Sequence, residues 1–355
     1  MHNISVVGID LAKNVFQVYA EDKGSNKVFN KEMKRAQFKK WLSQLPPCLV
    51  GMEACSTAHY WGRKFLEYGH QVKLINPRKI KIFVDRNKSD AKDAEAICDA
   101  TRSKKVRRIP VKTQLQQELS SLHKARSQVV GHRTEISNHL RSQLAEYGLI
   151  TKPGYGALKR LVEEVLSGCI EEFNCSAHLL FLLTDLYEDL KRLDARVQAY
   201  DQELKRVVET NKSAQKLMTL PGIGPITATA LVGKIEDFSE FTKGSNFAAW
   251  LGLTPKEYSS AGKQRLGGIS KQGDRYLRTL LIHGARSVIQ STVKKNRCET
   301  SYHRWIQDIV KRRGKNCAAV ALANKHARMI WAVMKHDRPV DLSFGDCFLL
   351  AKDAR

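Results

Sequence analysis

Asp90 and Asp93 stand three residues apart in Asn87-Lys-Ser-Asp90-Ala-Lys-Asp93-Ala-Glu-Ala-Ile, a spacing that puts both carboxylates on one face of a helix. Their surroundings are basic: residues 76–108 hold 11 Lys/Arg against 5 Asp/Glu. Positive charge suits a polyanion, and paired carboxylates suit the divalent metal that cuts one. Two more acids sit at the ends of apolar runs, Asp10 after Ile4-Ser-Val-Val-Gly-Ile and Glu53 after Cys48-Leu-Val-Gly-Met. Phosphodiester cleavage at a pair of Mg²⁺ ions needs several carboxylates converging from different elements. One acid after a strand is more often a cap or turn residue. Four in this order and context are far more specific. Asp85, Glu95 and Asp99 nearby read as solvated charges.

Ser260 is the second chemical anchor. It lies in Ser259-Ser260-Ala-Gly-Lys263, with Arg265, Lys271, Arg275 and Arg278 following closely. A serine hydroxyl is a weak nucleophile until a base or metal activates it. Flanking cations would neutralise charge developing on an attacked phosphate. Taken alone, a serine in a glycine-rich loop is a turn residue.

The elements that must position these groups fall into three regions. Residues 4–10, 15–19, 27–30, 48–53 and 71–75 read as strands, with helices over 35–44 and 57–68, which predicts a mixed α/β sheet covered by helices. From 115 to 144 apolar residues recur at helical steps, interrupted by Arg126 and Arg133. Leu179, Leu183, Leu186, Leu190, Leu193, Val197, Tyr200, Leu204 and Val207 then alternate steps of four and three. That spacing predicts a coiled coil joining protomers, the alternative being a helical hairpin within one chain. Residues 153–156 separate the two arms. The remainder is mainly helical: Pro221-Gly-Ile-Gly-Pro225 resembles a helix-hairpin-helix turn, a helix is expected over 274–288, and basic helices run on to about residue 336.

The chain has 355 residues and a formal charge of +24, from 60 Lys+Arg against 36 Asp+Glu. Such an excess attracts phosphate backbones and releases their counterions. Eight cysteines show no zinc-ligand spacing and read as free thiols. Nothing approaches the roughly 18 uninterrupted apolar residues of a membrane span, so the expectation is a cytoplasmic protein, associated with the nucleoid when acting.

The N-terminal acids follow the order of a ribonuclease H-like fold of the RuvC type, which this segment resembles. Gly8-Ile-Asp10, Met52-Glu53-Ala, Lys88-Ser-Asp90-Ala-Lys-Asp93-Ala, Leu220-Pro-Gly-Ile-Gly-Pro225, Ala249-Trp-Leu-Gly-Leu-Thr-Pro255, Ser259-Ser260-Ala-Gly-Lys and Gly268-Ile-Ser-Lys-Gln-Gly-Asp-Arg-Tyr-Leu-Arg278 together resemble the DEDD insertion-sequence transposases. The likeness is to the one-ten family, and within it the eleven-eleven subgroup of bridge-RNA-guided recombinases. It covers almost the whole chain. The resemblance implies a RuvC-like catalytic domain over 1–110, a coiled-coil dimerisation region over 111–212, a C-terminal transposase domain over 213–338, and a tail over 339–355. It implies that Asp10, Glu53, Asp90 and Asp93 bind Mg²⁺, two ions per site. It also implies that Ser260, rather than Ser259, becomes joined to cleaved DNA. Ala261 stands where relatives often have glycine. Arg86, Lys88, Lys263, Arg265, Lys271, Arg275 and Arg278 are the expected nucleic-acid contacts. The implied partners are donor and target DNA, a guide RNA, and further copies of the chain in a dimer or tetramer, acids from one protomer meeting the serine of another.

Two other readings stand beside this one. A RuvC-like junction endonuclease would use the acids with water and need no serine. A non-catalytic nucleic-acid scaffold would need neither.

Overall fold

The computed structural model describes residues 4–84, 89–170, 176–235, 237–260 and 262–337. Arg86, Lys88 and Ala261 fall outside these ranges, as does the tail. The chain divides into two compact units, Met1–Gln117 and Glu118–Arg355.

The first unit is built on a five-stranded sheet of β1 (Ile4–Leu11), β2 (Val15–Asp22), β3 (Lys27–Lys34), β4 (Leu49–Glu53) and β5 (Gln71–Ile75), in the order β3-β2-β1-β4-β5. The first three strands form an antiparallel meander, while β4 and β5 run parallel to β1. This mixed α/β arrangement is consistent with the ribonuclease H-like expectation. The expected strands are all present, and β2 and β3 extend further than their apolar runs indicated.

Alternation of side chains across the strands sorts the two faces. Val7, Ile9, Phe16, Val18, Val50 and Met52 form one face, covered by α1 (Arg35–Gln44) and α2 (Ala58–Glu67). There Phe38 stacks on Phe16 with ring centroids 4.5 Å apart and meets Trp61 edge-on at 4.9 Å. The short α3 (Pro77–Ile80) precedes α4 (Asp90–Arg102), which covers the other face. Facing it are Gly8 and Gly51. A Cβ on Gly8 would stand 2.6 Å from the Cys98 nitrogen, and one on Gly51 would stand 2.8 Å from the Thr101 Cβ. Two glycines therefore let α4 lie directly on the backbone of β1 and β4.

In the second unit, α5 (Gln114–Glu146, beginning just before the boundary), α6 (Tyr155–Leu166) and α7 (Ala177–Thr210) pack together. Leu140, Leu144, Leu158, Val162, Leu183 and Leu190 share one core. The arginines that interrupt the α5 seam are partnered across it: Arg126 pairs with Asp201 at 2.5 Å and Arg133 with Asp194 at 3.0 Å. Of the heptad seam, Leu179, Leu183, Leu186, Leu190, Val197 and Leu204 are buried within the chain, while Leu193, Tyr200 and Val207 are half-buried. α6, in the stretch between the arms, was not expected from the sequence.

The remaining elements are the helices α8 (Lys212–Met218), α9 (Pro225–Val232), α10 (Gly244–Trp250), α11 (Arg275–Lys294) and α12 (Ser301–His336), and an exposed hairpin of β6 (Pro255–Glu257) and β7 (Leu266–Ile269). Their core runs from Leu217 through Phe247, Leu281 and Ile306 to Ile330. The Pro-Gly-Ile-Gly-Pro turn does join two helices, and its Gly222, at φ 76°, rests against α11. A Cβ there would stand 2.7 Å from the Gly284 carbonyl oxygen. Among the described residues no helix is long and apolar enough to cross a membrane.

Candidate active site

Asp10 lies near the carboxyl end of β1, on the face that α4 covers. Because α4 passes Cys98 and Ala94 over Gly8, its first turn reaches the level of Asp10. Ser89 caps that turn, accepting a hydrogen bond from the Lys92 amide, and Asp90 and Asp93 both sit in the helix's opening residues. The result is convergence: Asp10, Asp90 and Asp93 each offer a carboxylate oxygen within 4.8 Å of the others. Partial positive charge at a helix N-terminus offsets some of the repulsion among them. The donor set is all carboxylate, with no histidine or thiolate, and so fits a hard divalent cation such as Mg²⁺.

Glu53 ends β4, which pairs in parallel with β1 at Gly8↔Gly51 and Ile9↔Met52. It therefore occupies the position level with Asp10, on the same face as Gly51. Its carboxylate does not belong to the close group. Its charge nevertheless reaches the same space: burial first, then the charges of Glu53 and Asp10, hold the Cys55 thiol above its usual range. Glu95 and Asp99 are exposed further along α4 and neither joins the group, but they are not simply solvated. Glu95 hydrogen-bonds Tyr19, and burial, then the Glu95 charge, raises the Asp99 carboxyl above its usual range.

Two neighbours of the acids were not anticipated. Gln17 is the register partner of Asp10. Its amide donates to the Asn30 side chain at 2.6 Å, and Asn30 donates in turn to the Ala91 carbonyl at 3.0 Å. This chain of bonds ties β2 and β3 to the first turn of α4. Only the register reveals it, because polar residues on a strand carry no such signal alone.

Ser260 lies at the tip of the β6–β7 hairpin and is exposed. The tip is closed by the Lys263 amide donating to the Ser260 carbonyl at 3.0 Å. The two adjacent serines differ sharply. Ser259 Oγ donates to Glu257 at 2.6 Å and accepts from the Arg265 amide at 3.2 Å. Among the described residues, no hydrogen bond holds the Ser260 hydroxyl. Lys263, Arg265, Lys271 and Arg275 are exposed around the hairpin and its root.

Arg278 is placed otherwise than expected. It is only 8% exposed, and its guanidinium donates to the Leu251 carbonyl at 3.0 Å. It braces the fold beneath the hairpin instead of offering charge to solvent. Much of the surrounding motif does the same. A Cβ on Gly252 would stand 2.8 Å from the Gln272 nitrogen, one on Gly273 would stand 3.0 Å from the Trp250 carbonyl carbon, and Asp274 caps α11. The Trp-Leu-Gly-Leu and Ser-Lys-Gln-Gly-Asp stretches interlock through their glycines.

Comparisons with known proteins place the chain in a family. A family model described as Transposase covers residues 7–149, including all four acids, and one described as Transposase IS116/IS110/IS902 family covers 214–302, including Ser260. A probable family 20 transposase of Pseudomonas aeruginosa is 44% identical over 94% of this chain and 98% of its own. The chain belongs to the IS116/IS110/IS902 family of transposases. The transposase for insertion sequence element IS1328 of Yersinia enterocolitica is 38% identical over 94% of this chain and 97% of its own. That for IS1111A of Coxiella burnetii is 37% identical over 94% and 90% respectively. This transposase is accordingly an enzyme of DNA cleavage and strand transfer that binds DNA.

Proposed function

We propose that this transposase is a Mg²⁺-dependent, RNA-guided recombinase that excises and integrates its own insertion sequence through a covalent serine–DNA intermediate. The observation that carries the reading is the contrast at the hairpin tip: Ser259 is tied down while Ser260 is exposed beside Lys263 and Arg265. Asp10, Asp90 and Asp93, with Glu53 from the adjoining strand, would hold the metal. When bound, Mg²⁺ supplies Lewis acidity at the scissile phosphate.

Ser260 Oγ attacks phosphorus, forming one P–O bond while the bond to one deoxyribose oxygen breaks. The serine proton passes through solvent to the departing oxygen. Lys263 and Arg265 offset the charge that builds on the phosphate. The phosphodiester is conserved as a serine ester, so a deoxyribose hydroxyl from other DNA can reverse the step and rejoin strands. The formal charge of +24 suits a protein that holds DNA and guide RNA together. Base pairing then reads sequence while the protein reads backbone. The guide RNA and a homo-oligomer combining acids and serine from different protomers rest on the family resemblance.

The test uses purified protein, element-end DNA and a transcript of the element's non-coding end. The expected result is Mg²⁺- and transcript-dependent cleavage with trapped protein–DNA adduct, lost in Ser260→Ala. Undiminished cutting by Ser260→Ala would instead favour the junction-endonuclease alternative.

A further inference from the structure

Midway along α12 the helix breaks at Gly314, whose φ of 76° and ψ of 166° no other residue adopts cheaply. Nothing lies within 4 Å of where a Cβ would stand, so the glycine serves the backbone turn and not close packing. On either side α12 is part of the core, with Tyr302 and Ile306 buried before the break and Ala318, Ala319 and Leu322 after it. Between them residues 311–317 are all exposed. A helix packed against a neighbour buries a side chain every three or four positions, so the chain leaves the surface here.

The segment reads Lys311-Arg312-Arg313-Gly314-Lys315-Asn316, four cations in five residues. Some exposed cations elsewhere pair with an acid three residues away, as at Lys64–Glu67, Lys191–Glu188 and Arg206–Glu203. Among the described residues no carboxylate pairs with the four at the break. Charge left unbalanced on a protruding turn is complementary to a polyanion.

The break is also joined to the serine hairpin by a track along α11. Arg286 donates to the Asn316 side chain at 3.3 Å. Arg275, Thr279 and Arg286 are exposed and recur at helical spacing on one face of α11, with the half-buried Ile282 between the last two. Arg275 opens α11 directly after the root of the hairpin that carries Ser260. At about 1.5 Å per residue, Arg275 and Arg286 are roughly 16 Å apart along the axis. That distance corresponds to roughly five base pairs at about 3.4 Å each.

We propose that the Lys311–Lys315 turn is a docking point for the phosphate backbone of duplex DNA flanking the cleavage site, reached along the face of α11 that carries Arg275 and Arg286. The choice of DNA as occupant rests on the reading of Ser260 as the DNA-cleaving group. The test measures binding alone and uses full-length Ser260→Ala protein, so loss of the cleavage reading and loss of this one are separately visible.

Affinity for a duplex of the element end is measured over a salt series, with Arg312→Glu, Arg313→Glu and Lys315→Glu combined. A loss of about tenfold or more is expected, and the log–log salt slope should shrink by about two to three, near 0.9 per phosphate contact. The milder pair Arg312→Gln and Arg313→Gln should reduce the slope by about two. Melting temperature monitors folding, and Lys191→Glu, Arg192→Glu and Arg206→Glu combined on α7 control for the same change of net charge. An unchanged duplex affinity and slope would overturn the proposal. So would equal weakening by the α7 control, or a loss confined to structured RNA.

Discussion

The Cys98 backbone nitrogen lies 2.6 Å from where a Cβ on Gly8 would stand, so α4 rests on the bare backbone of β1. This contact sets the height of Asp90 and Asp93 above Asp10, and a glycine two residues before an acid becomes part of the site's geometry. Gly8→Ala is expected to push α4 outward. Overpacking of this kind costs about 1–3 kcal/mol. Cleavage should fall further than that loss alone explains, because the acids separate. Urea unfolding and cleavage rate on the same protein check the pair of effects.

Three carboxylates whose oxygens lie within 4.8 Å of one another make an all-oxygen site suited to a hard divalent cation. Added Mg²⁺ should therefore raise the melting temperature of the wild-type protein in the absence of DNA. Asp90→Asn keeps the shape of the exposed Asp90 side chain and removes a charge. It should abolish most of the Mg²⁺-dependent rise and remove cleavage. A full metal-dependent rise in the variant would contradict the site.

The adjacent serines separate by mutation. Ser259→Ala removes the bonds to Glu257 and the Arg265 amide that shape the hairpin tip. It should slow strand transfer while adduct still forms. Ser260→Ala should abolish adduct altogether. If the acids and serine of one site come from different protomers, co-expression of Asp90→Asn and Ser260→Ala chains should restore part of the activity that neither has alone. Recombination assays on mixed oligomers read this directly.

Two buried histidines predict how stability varies with pH. Burial first, then nearby cations, hold His123 and His326 down at about 4, below the ordinary 6.5. His123 bonds Tyr276 and Thr229, and His326 bonds Tyr302. Between pH 6.5 and about 4 the unfolded chain binds protons that the folded chain does not. Stability is fully present above that window and falls as pH drops through it, by about 1.4 kcal/mol per pH unit for each histidine. Urea midpoints across the window measure the slope, and His123→Gln should flatten it.

Sequence made the sheet legible because its buried strands are apolar runs and their boundaries carry turn residues. Asp10, Asp90 and Asp93 were legible only in combination, because each acid alone reads as an ordinary cap or turn residue while the set in this order is far more specific. The fate of the heptads was not. Spacing shows that Leu183 and Leu190 need a partner face, but a face within the chain and one on another protomer satisfy the same pattern. Arg126 and Arg133 looked like defects in the seam until Asp201 and Asp194 stood opposite them. Arg278 looked like a surface cation for the converse reason: its neighbours in sequence are basic, while its neighbour in space is the Leu251 carbonyl. The break at Gly314 gave no distinct signal, because one glycine among basic residues reads as an ordinary helix interior.

The most direct measurement is mass spectrometry of peptides from protein trapped on cleaved element-end DNA. A nucleotide-bearing peptide with the modification on Ser260, absent when Asp90→Asn protein is used, is the predicted result. DNA cut with no nucleotide on any serine, or a nucleotide on Ser259 with Ser260 bare, would contradict the account.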